Sequence, residues 1–186
     1  HRYSSAASDV YKRQALNEIN KDLKSEEKMF RLLQGDVGSG KTIVALISCL
    51  NVVNSGYQVA FMAPTEILAY QHYKLAQSLI KDKMKIGFLT SKTDYSERKK
   101  IINDLETSKL DILFGTHSVF QEKINYKKLG LVVIDEQHKF GVKQRKKLSD
   151  KGGKNCDVLV MSATPIPRTM IMTCLLYTSP SQRDIS

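Results

Sequence analysis

The chain has 186 residues, with 29 Lys and Arg against 19 Asp and Glu, a net charge of +10. That length accommodates one domain with a sizeable core and excludes two such domains of ordinary size. No apolar run reaches the length of a bilayer span, no secretory signal is legible, and the odd set Cys49, Cys156 and Cys174 has no CxxC spacing, which argues against a zinc site or disulfide framework and fits a reducing cytosol. The cationic excess suits a polyanionic partner, because Lys and Arg displace condensed counterions from phosphates.

In chain order, residues 1–14 (HRYSSAASDVYKRQ) carry no hydrophobic period continuous with the adjoining segment. Ala15–Lys24 has apolar residues at helical spacing, Ala15, Leu16, Ile19 and Leu23, and a charged turn comes next at Lys24–Lys28. Met29–Gln34 reads as a short strand, and Thr42–Asn54 as a largely buried helix stopped by Gly56. Gln58–Ala63 is the next strand, Glu66–Lys81 the next helix and Lys85–Leu89 a strand. Ser96–Glu106 is an amphipathic helix whose Arg98, Lys99 and Lys100 read as a solvated face. Asp111–Phe114 and Leu129–Ile134 are strands separated by Thr116–Lys127. Lys143–Ser149 looks helical, Lys151–Lys154 is a surface turn, and Asp157–Met161 is the last strand. Strands alternating with helices predict an α/β fold, and continuous apolar strands such as Leu131–Ile134 predict a parallel sheet covered on both faces.

Residues 174–186 (CLLYTSPSQRDIS) share the foreign character of the first fourteen. Asp9–Gln14 and Cys174–Thr178 can be encoded by DNA strands that are reverse complements of one another. Both ends resemble translated transposon-adapter sequence, with one departure, Gln182 where the adapter would encode proline. The expected organisation is therefore a flank at 1–14, a domain at 15–173 and a flank at 174–186. Setting the flanks aside removes four cations and two anions and leaves a charge of +8, so the basic character belongs to the domain.

Gly35-Asp36-Val37-Gly38-Ser39-Gly40-Lys41-Thr42 matches GxxxxGK[ST] between a strand and a helix, the context in which that spacing forms a phosphate cradle. Glycines let backbone amides wrap phosphate oxygens, and the helix N-terminus adds positive partial charge. Gly35, Asp36, Gly38, Ser39, Gly40, Lys41 and Thr42 are thus the candidate ATP-binding set, with Lys41 reaching the β and γ phosphates and Thr42 ligating Mg²⁺. Asp135 and Glu136 follow the apolar strand at the sheet edge where open α/β folds bind ligands. Asp135 is the second candidate Mg²⁺ ligand and Glu136 the candidate base that activates the attacking water.

Three further segments follow strands: Ala63-Pro64-Thr65-Glu66, Gly115-Thr116-His117 and Ser162-Ala163-Thr164-Pro165. Their amides and hydroxyls could hold DNA phosphates without reading bases. Singly, each is better read as turn and cap chemistry.

In this order the five segments resemble motifs I, Ia, Ib, II and III of superfamily-two helicases, and the fold this implies is a RecA-like P-loop domain. Longer strings, RLLQGDVGSGKT (Arg31–Thr42), MAPTEILAYQH (Met62–His72), LGLVVIDEQHKFGVKQR (Leu129–Arg145) and MSATPIPRTM (Met161–Met170), resemble the RecG family of bacterial ATP-dependent DNA helicases across the whole 15–173 segment. Transcription-repair coupling translocases share GDVGxGKT, FGV and ATPIPRT, but typically carry DEEQ where this chain has Asp135-Glu136-Gln137-His138.

The resemblance implies that Gln137, His138, Ser162, Ala163 and Thr164 couple nucleotide state to DNA. It implies DNA contacts at Pro64, Thr65, Glu66, Gly115, Thr116, His117, Phe140 and Arg145. It implies a parent that remodels branched DNA. His72 reads as a partly buried histidine, and Tyr70 and Tyr73 as helix packing. The family's adenine-reading glutamine would fall near Lys12, within the flank, and the second motor lobe and wedge domain would lie outside 15–173. The segment alone is expected to bind Mg-ATP and not to unwind DNA.

Overall fold

The computed structural model describes residues 2–25, 29–35, 40–80, 83–135 and 156–163, with side chains of the first helix from residue 9 onward. The elements are α1 (Arg2–Leu23), β1 (Phe30–Gln34), α2 (Lys41–Asn54), β2 (Gln58–Met62), α3 (Glu66–Ile80), β3 (Ile86–Leu89), α4 (Tyr95–Glu106), β4 (Ile112–Gly115), a 3₁₀ turn (His117–Phe120), β5 (Leu129–Asp135) and β6 (Asp157–Ser162). Each described element expected from periodicity is present, and all but the first helix lie within a residue or two of their expected bounds. The expected helix at Lys143–Ser149 and turn at Lys151–Lys154 lie outside the described residues.

The strands form one six-stranded sheet in the order β1-β6-β5-β2-β4-β3, and every pairing is parallel. Successive side chains of a strand point to opposite faces. Here both sets are buried. Val59, Phe61, Ile112, Phe114, Leu131 and Val133 join one core with Ile19 of α1, Val44 and Leu46 of α2, and Ala76 and Ile80 of α3. Ala60, Met62, Leu113, Val132 and Ile134 join the other with Ile101 and Leu105 of α4 and Val119 and Phe120 of the 3₁₀ turn. A strand wetted on one face would alternate apolar and polar residues. These strands do not, because neither face meets water.

The first helix is longer than expected: it is continuous from Arg2, with no break at Ala15. Nothing in residues 2–14 is a glycine or proline that would stop it. From residue 9 to residue 14 the added turns bury little. Val10 and Tyr11 are 65% and 44% exposed, whereas Ile19 is fully buried. The register of α1 on the sheet is held at its other end, where Arg31 of β1 donates to Glu18 (2.6 Å) and Asp22 (2.6 and 2.9 Å). Among the described residues no helix is long and apolar enough to cross a membrane.

Candidate nucleotide-binding site

Parallel pairing aligns the carboxyl ends of the strands along one edge. Gln34 of β1 pairs with Ser162 of β6, Asp135 of β5 with Met161, Met62 of β2 with Ile134 and with Gly115 of β4, and Gly115 with Leu89 of β3. Every described motif residue singled out from the sequence therefore lies on this edge or in the first turn beyond it. Backbone bonds run between the motifs as well. The Gly35 amide donates to the Ser162 carbonyl at 3.3 Å, and the Ala63 amide to the Gly115 carbonyl at 3.0 Å.

At the phosphate loop, β1 ends at Gln34, Gly35 is next, and α2 begins at Lys41 after Gly40. Gly40 adopts φ +85°, a left-handed conformation that any other residue would enter under strain. It gives α2 no side-chain cap, and the first-turn amides and the positive end of the helix dipole face the N-terminal side of α2. Lys41 donates from Nζ to the Gly35 carbonyl across the loop. Thr42 sits in the first turn of α2, partly exposed. Asp36, Gly38 and Ser39 lie outside the described residues.

Asp135 is the last residue of β5, at the point where the buried run Leu129–Ile134 emerges. Its side chain is 13% exposed, and Oδ2 lies 2.6 Å from Nε2 of His72 on α3, a residue 63 positions away. Because a carboxylate only accepts, Nε2–H is the donor. Among the described residues Oδ1 has no hydrogen-bond partner. This chemistry fits Mg²⁺, which takes one or two carboxylate oxygens, a hydroxyl and phosphate oxygens in place of an all-protein cage. The described residues contain no cluster of three or more His, Cys, Asp or Glu side chains able to hold a metal. Glu136, Gln137 and His138 lie outside the described residues.

Ser162 ends β6 and is almost fully buried, with Ala163 just beyond it; Thr164 lies outside the described residues. The Pro64–Glu66 segment joins β2 to α3. Thr65 accepts the Leu68 amide at 3.3 Å through Oγ1, so it caps α3. Glu66 accepts from the Ser91 hydroxyl at 2.8 Å and the Ser91 amide at 3.1 Å. These bonds hold its carboxyl below the usual carboxylate range. Gly115 is a site of close approach: a Cβ there would lie 2.5 Å from the Leu89 carbonyl oxygen and 2.8 Å from Val119. Thr116 is buried at the start of the 3₁₀ turn, and His117 is exposed. Phe140 and Arg145 lie outside the described residues.

Sequence reasoning missed two side chains. His72 is a partly buried histidine, as expected, but its partner is the carboxylate at the centre of the site. A lone histidine on a helix pattern carries no sign of a partner two elements away. Arg98 departs from the solvated face expected of it. It donates to the Thr90 carbonyl (2.9 Å) and Gln121 (3.0 Å), tying the loop after β3 to the end of the 3₁₀ turn. Lys99 and Lys100 are exposed as expected. Tyr73 packs on Phe88 and Phe114, and Tyr70 meets Phe88 edge-on, again as expected. Cys49 is buried and Cys156 partly so.

A family model described as DEAD/DEAH box helicase matches residues 11–173. The ATP-dependent DNA helicase RecG of Aquifex aeolicus is 52% identical over 161 residues, which are 86% of this chain and 20% of that protein. RecG of Bacillus subtilis is 51% identical over 159 residues, 85% of this chain and 23% of its own length. The chain thus spans about a fifth of the length of these curated relatives. Among solved structures, RecG bound to a three-way DNA junction superimposes with a TM-score of 0.76 at 45% identity, covering 90% of this chain and 22% of that one. A DEAD box protein from Methanococcus jannaschii gives 0.67 at 24% identity, covering 87% of this chain and 46% of that one, a likeness of fold alone.

Proposed function

The chain belongs to the DEAD/DEAH box helicase family, and on that premise we propose that residues 15–173 are the nucleotide-binding lobe of a RecG-type, ATP-driven helicase acting on branched DNA in recombination and repair. One observation carries the reading: Gly35, Gly40, Lys41, Thr42, Asp135 and Ser162 converge on a single sheet edge, beside a second group formed by Pro64–Glu66 and Gly115–His117.

In this proposal the Gly35–Gly40 amides cradle the phosphates and Lys41 neutralises charge on the β and γ groups. Thr42 and Asp135 hold Mg²⁺, which when bound withdraws charge from the transferred phosphoryl group. Glu136 orients and deprotonates water, and Gln137, His138, Ser162, Ala163 and Thr164 relay nucleotide state across the edge. DNA phosphates lie along the Pro64–Glu66 and Gly115–His117 side, with Phe140 and Arg145 taking part. The solved RecG complex with a three-way junction supports a branched DNA partner. The chain by itself binds Mg-ATP without unwinding, because unwinding requires a second lobe to close on the nucleotide and supply an arginine.

The test is calorimetric titration of Mg-ATP into the chain and into its Lys41→Ala variant. Loss of the charged contact should weaken binding about 10–100-fold. Equal affinity would remove the phosphate-site assignment.

A further inference from the structure

We infer that His72 is a positioning residue for Asp135, aiming the carboxylate so that one oxygen is committed to the protein and the other is presented to the Mg²⁺ of the bound nucleotide. This rests on the proposed reading of Asp135 as a Mg²⁺ ligand.

The geometry is that of a built support. The His72 and Asp135 side chains are 11% and 13% exposed and meet at 2.6 Å. In so enclosed a place the bond meets little competition from water. The ring is itself held, since its centroid lies 5.0 Å from that of Phe61, a fully buried residue of β2. Phe61 in turn stacks on Phe114 at 5.0 Å. The imidazole is therefore packed against the central sheet. Asp135 stands at a strand end, where its backbone is fixed but its side-chain torsions are not. A single donor on Oδ2 restricts those torsions and leaves Oδ1 without a hydrogen-bond partner among the described residues. Supporting hydrogen bonds of this kind orient metal-ligating carboxylates, and removing them typically costs 10–100-fold in metal affinity or activity.

His72 also lies on α3, which the Pro64–Glu66 segment leads into from β2. The support for the Mg²⁺ ligand thus comes from the helix that opens on the other group of motifs.

The test titrates the full 186-residue chain with the β,γ-imido analogue of ATP, once with Mg²⁺ and once in EDTA. His72→Phe keeps the ring packing and removes the donor. It should weaken binding about 10–100-fold in Mg²⁺ and leave binding in EDTA unchanged, which also shows that the variant is folded. His72→Gln restores an N–H near the position of Nε2 and should bind like the wild type. The inference is overturned if His72→Phe binds like the wild type in Mg²⁺, if it weakens equally with and without Mg²⁺, or if His72→Gln is as weak as His72→Phe. Should the wild type and Lys41→Ala bind the analogue equally, the phosphate-site reading falls and takes this inference with it. If binding depends on Lys41 and Mg²⁺ but not on His72, only the inference falls.

Discussion

The two halves of the sheet's carboxyl edge are built differently. On the β1-β6-β5 side, reactive groups stand at special backbone positions: Gly40 in a left-handed conformation, Lys41 and Thr42 in the first turn of α2, and Asp135 where a buried strand emerges. On the β2-β4-β3 side most of the hydroxyl and charged side chains are turned inward on the protein. Thr65 caps α3, Glu66 binds Ser91, Ser118 donates to the Leu89 carbonyl, and Arg98 clamps Thr90 and Gln121. In the proposed reading the first half meets small, highly charged groups one at a time. The second is a cross-braced frame that presents backbone and the exposed His117, and in the proposed reading its partner is recognised by a phosphate backbone and not by its bases. A substitution in the first half should therefore act on ligand affinity, and one in the second on stability and loop placement.

The sharpest test of that division is Gly115→Ala. The new methyl would be driven to 2.5 Å from a backbone oxygen, which cannot swing aside as a side chain end could. Overpacking of this kind should lower stability by about 1–3 kcal/mol in urea unfolding while leaving nucleotide affinity within about twofold. A tenfold loss of nucleotide affinity would mean that the halves are not separable.

A smaller effect is expected from Glu66→Gln. The Ser91 bonds lower the carboxyl's pKa in the folded state, so their contribution to stability is present above the ordinary carboxylate value and is lost as pH falls through the depressed folded value. The urea midpoints of wild type and variant should differ slightly at neutral pH and converge in acid. A gap that widened in acid would contradict the bracing role of Glu66.

The smallest effect should come from deleting residues 2–14. That segment reaches the nucleotide half, where the Tyr11 hydroxyl donates to the Gln34 carbonyl at 2.7 Å and the Lys12 stem lies beside Gly40. If residues 1–14 are the foreign flank proposed from the sequence, these contacts are incidental, and nucleotide affinity should change by less than about threefold. A larger loss would show that the extended α1 contributes to the site.

Much of the fold and of the site is legible in the chain of residues alone. Helix and strand spans depend on periodicity within a dozen residues, and the runs Gln58–Ala63 and Leu129–Ile134 show their two-sided burial in composition alone. The phosphate loop is legible because its chemistry requires glycines and a lysine at fixed spacing. The extended α1 is not, since periodicity marks burial and residues 9–14 are largely exposed. Arg98 is not, because a cation on a polar helix face looks the same in sequence whether it meets water or a carbonyl.

What the sequence determined by itself was therefore the local inventory: which segments are strands, that the sheet is parallel, and which residues are the candidates for a phosphate contact. Which segments become neighbours was decided only by tertiary structure. Strand order seats β6 between β1 and β5, so that the Met29 amide finds Asp157 at 2.8 Å across 128 positions of chain. It also turns α3 so that His72 meets Asp135. The physical reason is range. Backbone propensity and side-chain period act over a few residues, whereas partners this far apart are chosen by burying two faces of one sheet at once.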